Sequence, residues 1–446
     1  MMRARATSRA EGGWRLLLPL LLAGCLGPLG AEEVYDLPPL SYTSCAPDDR
    51  VAHLLRDLDA GSVQLAWDRH FGYLPALLRE LAVPLSSQVL VFSKTSLQRE
   101  RISPDTPRAL YFNDEVYVGT VPGGTLIELA ATDPRQGTMF YVLDQVEHAH
   151  PRLRRETQEC LRCHDLPAFT GGFPGLIMRS VYPDRDGQPL LNLGSMITTP
   201  ASPWAKRWGG WYVTGSHGGM RQLGNRIYDE HADIDALDLV AGANQPTLPT
   251  FVDSELYLRP TSDVVALLAL SHQIEVHNLI TSSGFSARIA LRDEQVMNQA
   301  LGRPAGFRSD STARRLVSAA DALVRGLLYG DEAPFTDRVA GSSGFAEDFA
   351  RGGVRDSRGA SLRELDLRRH FARLPCSYLI HSQAFACLPP PLKVVVYDRL
   401  GEALAGRGVN ARFALVGSDA CRDITRLLTA TLGDLPVDWP ASPTTH

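Results

Sequence analysis

Hydrophobic and polar positions along the chain predict a β-rich N-terminal part. Residues 48–60 and 75–82 have the apolar spacing of helices, and short apolar runs separated by turn residues follow them. Asn113-Asp114 between two such runs indicates a hairpin, and Pro122-Gly123-Gly124 indicates a second turn. The predicted strands are residues 89–92, 109–112, 116–119, 126–130 and 138–143.

From residue 261 onward the apolar period becomes helical. An amphipathic helix is predicted to end at Gly330, and another is predicted at 418–432. The apolar face of the first is formed by Leu316, Ala320, Leu323 and Leu327.

Two further segments complete this part of the pattern. Residues 341–359 are rich in Gly, Ser and Arg and predict a flexible loop. Ser361 and Glu364 have the spacing of a capping box, which predicts that a helix begins there. Strands followed by helices, without βαβ alternation, predict the α+β class.

The chain divides into four predicted segments. Residues 1–24 form a leader, 25–150 a β-rich domain, 151–255 a Gly- and Pro-rich region of loops and short strands, and 256–446 a mainly helical domain. The length of 446 residues agrees with two or three packed units after the leader.

Composition narrows the class of protein. The chain is 44% hydrophobic and 21% charged, as globular proteins are. Its 45 basic and 50 acidic residues give a net charge of -5, without the basic surplus of a nucleic-acid binder. No uninterrupted apolar run reaches the roughly 18 residues of a spanning helix.

The leader indicates export. Four arginines precede the short apolar run 16–23, which is followed by Gly24 and Cys25. Leu22-Ala23-Gly24-Cys25 resembles the lipobox of bacterial lipoproteins, which implies cleavage before Cys25, lipidation of its thiol and a membrane tether. The alternative is cleavage near Ala31, which would release a soluble periplasmic protein.

One motif carries candidate chemistry. Cys160 and Cys163 are followed directly by His164, and the 7 Cys and 12 His of the chain predict roughly 0.003 such matches by chance. Two thiols three positions apart on a helical turn reach both vinyl groups of a haem, and the next histidine reaches its iron.

The motif has three other interpretations. A zinc site needs a second ligand pair, but the next cysteine is Cys376. A thioredoxin-like redox pair follows a strand of a βαβ unit, whereas the preceding segment 151–159 is polar and helix-like. A structural disulfide would not need His164.

The motif resembles that of c-type cytochromes. Residues 89–96 and 209–218 are similar to stretches of bacterial single-haem proteins that carry a cytochrome c domain. The resemblance implies one covalent haem c, with thioethers to Cys160 and Cys163 and His164 as proximal iron ligand. The leading hypothesis for function is electron transfer in a periplasmic redox chain, with a redox partner protein that the sequence does not identify.

The sixth iron ligand separates electron transfer from catalysis. His217, in a glycine-rich stretch, is the preferred candidate, Met196 is second and Met220 third, while Met178 is a further methionine after the motif. An open site would instead favour a peroxidase- or oxidase-like enzyme, or a module that binds a gaseous ligand.

Several residues near the motif have structural alternatives. Trp204, Trp208, Trp211 and Tyr212 suit a haem pocket or an ordinary core. Arg207 and Arg221 are candidates for pairing with haem propionates, although most arginines are solvated. His272 lies on an apolar helical stripe, and a core role is favoured for it and for His277.

The remaining cysteines have a structural interpretation. After Cys25, Cys160 and Cys163, an even number is left, and in an exported protein it predicts two disulfides of undetermined pairing. Buried free thiols are the alternative. The four are Cys45, Cys376, Cys387 and Cys421.

Overall fold

The computed structural model describes residues 33–406 and 417–440. Within these ranges an antiparallel sheet occupies the N-terminal half and helices occupy most of the C-terminal half, which confirms the predicted α+β class. The predicted leader, residues 1–24, and the lipidation candidate Cys25 lie outside the described residues.

A six-stranded meander forms the main sheet, each strand pairing with its neighbour in sequence. Five strands lie where the apolar runs predict them. The Asn113 side chain fixes the predicted hairpin by accepting hydrogen bonds from the Glu115 and Val116 amides at 3.0 and 2.8 Å. The strands are β1 (Val89–Val91), β2 (Arg108–Phe112), β3 (Val116–Thr120), β4 (Leu126–Asp133), β5 (Gly137–Asp144) and β6 (Leu153–Glu156).

The two faces of this sheet contact different elements because successive side chains point to opposite sides. On one face the Tyr141 hydroxyl donates to Asp49, the N-cap residue of α1 (Arg50–Asp59). On the other face, Tyr117 bonds to His277 of α5 (Val264–Ala300) at 3.0 Å. Phe140 shares this second face and contacts the Cys-x-x-Cys-His motif.

Helix α5 is the central element of the C-terminal half. Asp263 begins it by accepting hydrogen bonds from the Val265 and Ala266 amides at 2.7 and 3.1 Å. By length and composition alone α5 could cross a membrane, but most of its apolar stretch is buried inside the protein. Core helices of globular proteins share this property.

The two histidines of α5 are core residues, as expected. His272 is 1% exposed; its Nε2 lies 2.8 Å from the Ser377 hydroxyl, and its ring stacks on Tyr329 at 3.9 Å. His277 is also buried, with Nδ1 3.1 Å from the Thr132 hydroxyl. Burial lowers the pKa of both, to about 3 for His272 and about 4 for His277, so both are neutral.

The remaining helices pack around α5 and the sheet. In α6 (Asp310–Leu327), all four residues of the predicted apolar face are buried. The last helix also lies where the sequence predicts it. The other helices are α2 (Leu74–Glu80), α3 (Leu161–His164), α4 (Pro167–Thr170), α6 (Asp310–Leu327), α7 (Phe345–Arg351), α8 (Gln383–Ala386), α9 (Pro390–Leu404) and α10 (Ser418–Thr431).

The predicted flexible loop at 341–359 is wrong, because it contains α7. Phe345 and Phe349, four residues apart, are buried on one face of this helix. The Asp263 carboxylate accepts hydrogen bonds from the Ser342 and Ser343 amides at 2.6 and 2.7 Å, which fixes the chain before the helix.

The helix predicted after Ser361 is also wrong. The Ser361 amide does donate to Glu364 Oε1 at 3.1 Å, but the chain then reverses, and Leu365 bridges to Ala372. In this segment the Arg363 side chain lies over the rings of Phe349 and Tyr378, at 4.6 and 4.3 Å.

The segment before the motif differs from expectation too, since residues 153–156 form β6 rather than a helix. Its Leu153 is buried against β5, which supplies the apolar contact that a polar segment needs to join a sheet. The Gly- and Pro-rich region contains the expected short strands, β7 (Arg179–Val181) and β8 (Ser195–Ile197). One continuous core joins all three predicted domains within the described residues.

Candidate functional site

The Cys-x-x-Cys-His motif forms a single helical turn directly after β6. The Glu156 carboxylate accepts hydrogen bonds from the Gln158 and Glu159 amides at 2.8 and 3.0 Å, which turns the chain away from the sheet. The His164 amide then donates to the Cys160 carbonyl at 3.1 Å, and Leu161 anchors the turn in the core. Both cysteines and the histidine therefore lie on one turn.

Both motif cysteines are free thiols, but their surroundings differ. Cys163 is exposed, whereas Cys160 is partly buried against the core. Burial, with the negative charges of Glu156 and Glu128, raises the pKa of the Cys160 thiol to about 12. Cys160 is therefore protonated at neutral pH and not poised as a thiolate nucleophile.

The expected disulfides are absent from the described part of the chain. No two of the described cysteines lie at disulfide distance; Cys45, Cys376 and Cys387 are free thiols, with Cys376 buried and Cys387 exposed. Burial raises the pKa of Cys376 to about 12, which agrees with the alternative that a buried cysteine serves as a small apolar residue.

His164 is held in one tautomer. Its Nδ1 donates to the Gly175 carbonyl at 2.8 Å, and the Gly175 amide donates back to the His164 carbonyl at 2.9 Å. The Phe140 ring lies 4.8 Å from the imidazole, and burial lowers the His164 pKa. Nε2 has no hydrogen-bond partner among the described residues, so its lone pair is available to a metal ion.

Asn278 of α5 fixes the loop that contains Gly175, the hydrogen-bond partner of His164. Its side-chain oxygen accepts from the Leu176 amide at 3.1 Å, and its side-chain nitrogen donates to the Leu176 carbonyl at 2.8 Å. Gly175 passes so close that a Cβ there would lie 2.6 Å from the Asn278 oxygen. Sequence reasoning missed Asn278, although a polar residue in an apolar helix was an available signal.

His217 is placed differently from its expected role as distal ligand. It is fully buried, its Nδ1 donates to the Met220 carbonyl at 2.8 Å, and its Nε2 accepts from the Asn244 amide at 3.3 Å. Because one ring nitrogen is engaged by Met220 of its own loop and the other by the distant Asn244, the structure does not support iron ligation by His217. Its glycine neighbours serve the turn, since Gly218 has a φ of +56°.

The candidate methionines and arginines are divided between core and surface. Met178 and Met220 are buried in the core, and Met196 is partly buried in β8. Arg207 is buried, donates to the Pro200 and Ser202 carbonyls, and lies over Trp204, so it has a structural role. The four clustered aromatic residues are likewise part of the core.

Arg221 donates to the Gly218 and Met220 carbonyls at 3.1 and 2.8 Å. It supports the loop that contains His217, and its contacts in the structure are to main-chain oxygens.

The residues around the motif support neither the zinc nor the redox-pair interpretation. The zinc interpretation needs further ligands, and no group of three or more His, Cys, Asp or Glu side chains suited to a metal ion occurs in the part of the chain that is described. The redox-pair interpretation needs a βαβ unit, whereas the strand before Cys160 belongs to an antiparallel meander.

A cavity of about 210 Å³ lies beside the loop that follows the motif. Thr170 and Leu176 of this loop line one side, and Glu275 and Asn278 of α5 line another. Burial, followed by the nearby charge of Asp331, raises the pKa of Glu275 to about 7. The sequence analysis did not single out Glu275, which lies between the two core histidines.

Comparison with known proteins identifies no relative. No protein-family model matches the chain, and neither a curated protein nor a solved structure matches it significantly.

Proposed function

We propose that this chain carries one haem, attached covalently through Cys160 and Cys163 and bound at its iron by His164, and that it transfers electrons. The observation that carries the proposal is the state of His164. Its Nδ1 proton is committed to the Gly175 carbonyl, its Nε2 lone pair has no partner among the described residues, and two free thiols belong to the same turn. Proximal histidines need this tautomer and this support from a neighbouring carbonyl.

The motif residues fit the group chemically. The thiols needed for two thioether bonds are reduced, one turn holds them next to the imidazole, and the partly exposed Leu166 adds apolar surface beside them. A bound haem would supply a one-electron couple.

Each of the surrounding residues has a defined task in this proposal. Gly175 orients the His164 ring, Asn278 fixes the loop carrying Gly175, and Phe140 restricts movement of the ring. The Arg108–Glu128 ion pair lies close enough to act electrostatically on both Cys160 and His164. These groups would tune the potential through the proximal ligand.

Export agrees with this proposal, since c-type haem is attached outside the cytoplasm. We propose that the mature chain is tethered to a bacterial membrane through lipid on Cys25 and faces the periplasm. Release as a soluble periplasmic protein is the alternative. Globomycin, which blocks lipoprotein signal processing, would cause an unprocessed form to accumulate only in the tethered case.

A haem enzyme or a haem-based ligand-binding module is the second candidate function. This function is favoured because both His217 ring nitrogens make hydrogen bonds within the protein, so the leading candidate for sixth ligand is not free to bind iron. Without that ligand, a bound haem would have an open position for a small molecule. Carbon monoxide separates the candidates: a reduced protein that does not bind it is a six-coordinate electron carrier, whereas rapid binding supports the second function.

The attachment itself is tested by cysteine replacement in a host that matures c-type haem. The Cys160→Ala and Cys163→Ala variants should each lose one thioether, seen as a shift of the pyridine haemochrome band, and the double variant should release its haem in acid acetone. Cys387→Ala is the matched control, because Cys387 is an exposed free thiol outside the motif. Loss of haem in the control, or retention of covalent haem in the double variant, would contradict the proposal.

A further inference from the structure

We propose that the cavity between the 170–176 loop and α5 binds a small primary ammonium compound, with Glu275 as its counter-ion. This site is separate from the motif and does not depend on a bound haem. The Glu275 carboxylate in its wall has no hydrogen-bond or ion-pair partner among the described residues. An unpaired carboxylate at a cavity is typical of a ligand site.

The hydrogen-bonding capacity of the wall favours a donor ligand. The hydroxyls of Thr170, Ser271 and Ser282 each donate to a main-chain carbonyl of their own segment, at 3.3, 2.9 and 3.3 Å. Their oxygens can therefore only accept further hydrogen bonds. Together with the Glu275 carboxylate they form an acceptor-rich surface, which a primary ammonium group with three N–H donors complements.

The apolar part of the wall and the cavity size define the rest of the ligand. Leu176, Ile197, Ile274 and Leu279 supply aliphatic surface. A cavity of about 150 Å³ holds benzene, so about 210 Å³ accommodates an alkyl chain of roughly four to six carbons with its ammonium group.

Glu275 has no ion-pair partner among the described residues. It is the sole titratable residue among those that line the cavity in the described structure. Arg325 acts electrostatically on Glu275 but is ion-paired with Asp331 at 3.3 Å. An ionised Glu275 therefore has an uncompensated charge at the cavity, which an ammonium ion would neutralise.

Calorimetric titration of the purified chain with n-butylammonium chloride at constant ionic strength tests the site. One saturable site is expected at pH 8. The affinity should fall about tenfold at pH 6, because a carboxyl with a pKa of about 7 is then mostly protonated. Tetramethylammonium, which has no N–H donor, and n-butanol, which has no charge, should each bind at least tenfold more weakly.

Glu275→Gln should weaken butylammonium binding at least tenfold and abolish the pH dependence. Ser282→Ala, which removes one acceptor of the cavity wall, should weaken binding severalfold and serves if the first variant does not fold. Glu255→Gln is the matched control, since Glu255 is exposed and outside the cavity. Absence of saturable binding, unchanged affinity in Glu275→Gln, or equal affinity for n-butanol would overturn the inference. None of these results would bear on haem attachment.

Discussion

Replacing Glu275 by Gln should stabilise the folded protein at alkaline pH. In the folded chain the carboxyl has a pKa of about 7, against an ordinary value of 4.5, mainly because burial disfavours its charge. The folded state therefore retains a proton between pH 4.5 and 7 that the unfolded state releases. Over this window the free energy of unfolding falls as the pH rises.

The size of the effect follows from the two pKa values. A tenfold difference in acid dissociation is worth about 1.4 kcal/mol, so a displacement from 4.5 to about 7 costs the folded state about 3 kcal/mol above pH 7. Glutamine has nearly the shape of the protonated side chain and no charge to desolvate. The variant should match the parent at pH 4.5 and exceed its stability by up to about 3 kcal/mol at pH 8.

Urea unfolding of parent and variant at pH 4.5, 6, 7 and 8, followed by circular dichroism, measures this difference. Glu255→Gln is again the control, because an exposed carboxyl should give nearly the same small difference at every pH. A Glu275→Gln variant that is less stable than the parent at pH 8, or whose gain in stability does not change with pH, would show that burial of Glu275 does not destabilise the folded protein.

Three further predictions concern the loops around the site. Asn278→Ala removes both side-chain hydrogen bonds to Leu176, so it should lower the free energy of unfolding in urea by about 2 kcal/mol and shift the haem midpoint potential. An unchanged free energy of unfolding together with an unchanged midpoint potential would contradict the positioning role of Asn278. His217→Ala should cost about 3 kcal/mol yet leave the haem absorption spectrum unchanged, so a shifted Soret band would restore His217 as an iron ligand. The hydrogen bond that the His370 imidazole donates to the Glu332 carboxylate raises the His370 pKa, so the stabilisation it provides is present below pH 6.5 and is lost as the pH rises through the folded value. Glu332→Gln should therefore be more destabilising at pH 6 than at pH 8.5, and an equal loss of stability at both pH values would contradict this.

Local patterns were sufficient to predict most of the regular structure. The apolar runs from 89 to 143 form strands because each is short, rich in branched and aromatic residues, and ends at a turn residue such as Asn113. Helix α6 was predictable because its buried residues repeat at helical spacing.

The errors occurred where distant contacts decide the local conformation. Phe345 and Phe349 make a helix in a Gly- and Ser-rich segment because the core covers them, and Asp263, about 80 residues earlier in the chain, fixes its start. The capping contact between Ser361 and Glu364 forms without a helix, and the chain instead turns back so that Leu365 bridges to Ala372. The helix propensity of a local segment contains no information about contacts with residues that are distant in sequence.

The candidate site also combines features that the local sequence predicts with features that distant contacts decide. The motif at 160–164 is contiguous, so the sequence alone identifies it. The partners that define the roles of its neighbours are remote: Asn244 lies 27 residues from His217, and Asn278 lies 102 residues from Leu176. Glycines around His217 suggested proximity to a flat cofactor, whereas they permit a tight loop closed by the histidine itself.

Covalent haem attachment is measured by the mass of the peptide that contains Cys160 and Cys163, released from the chain after expression with the c-type haem maturation machinery. We expect this peptide to retain one haem under denaturing conditions, and we expect one haem per chain in the pyridine haemochrome assay. A colourless protein whose peptide has only the mass of its amino acids would rule out the proposed attachment.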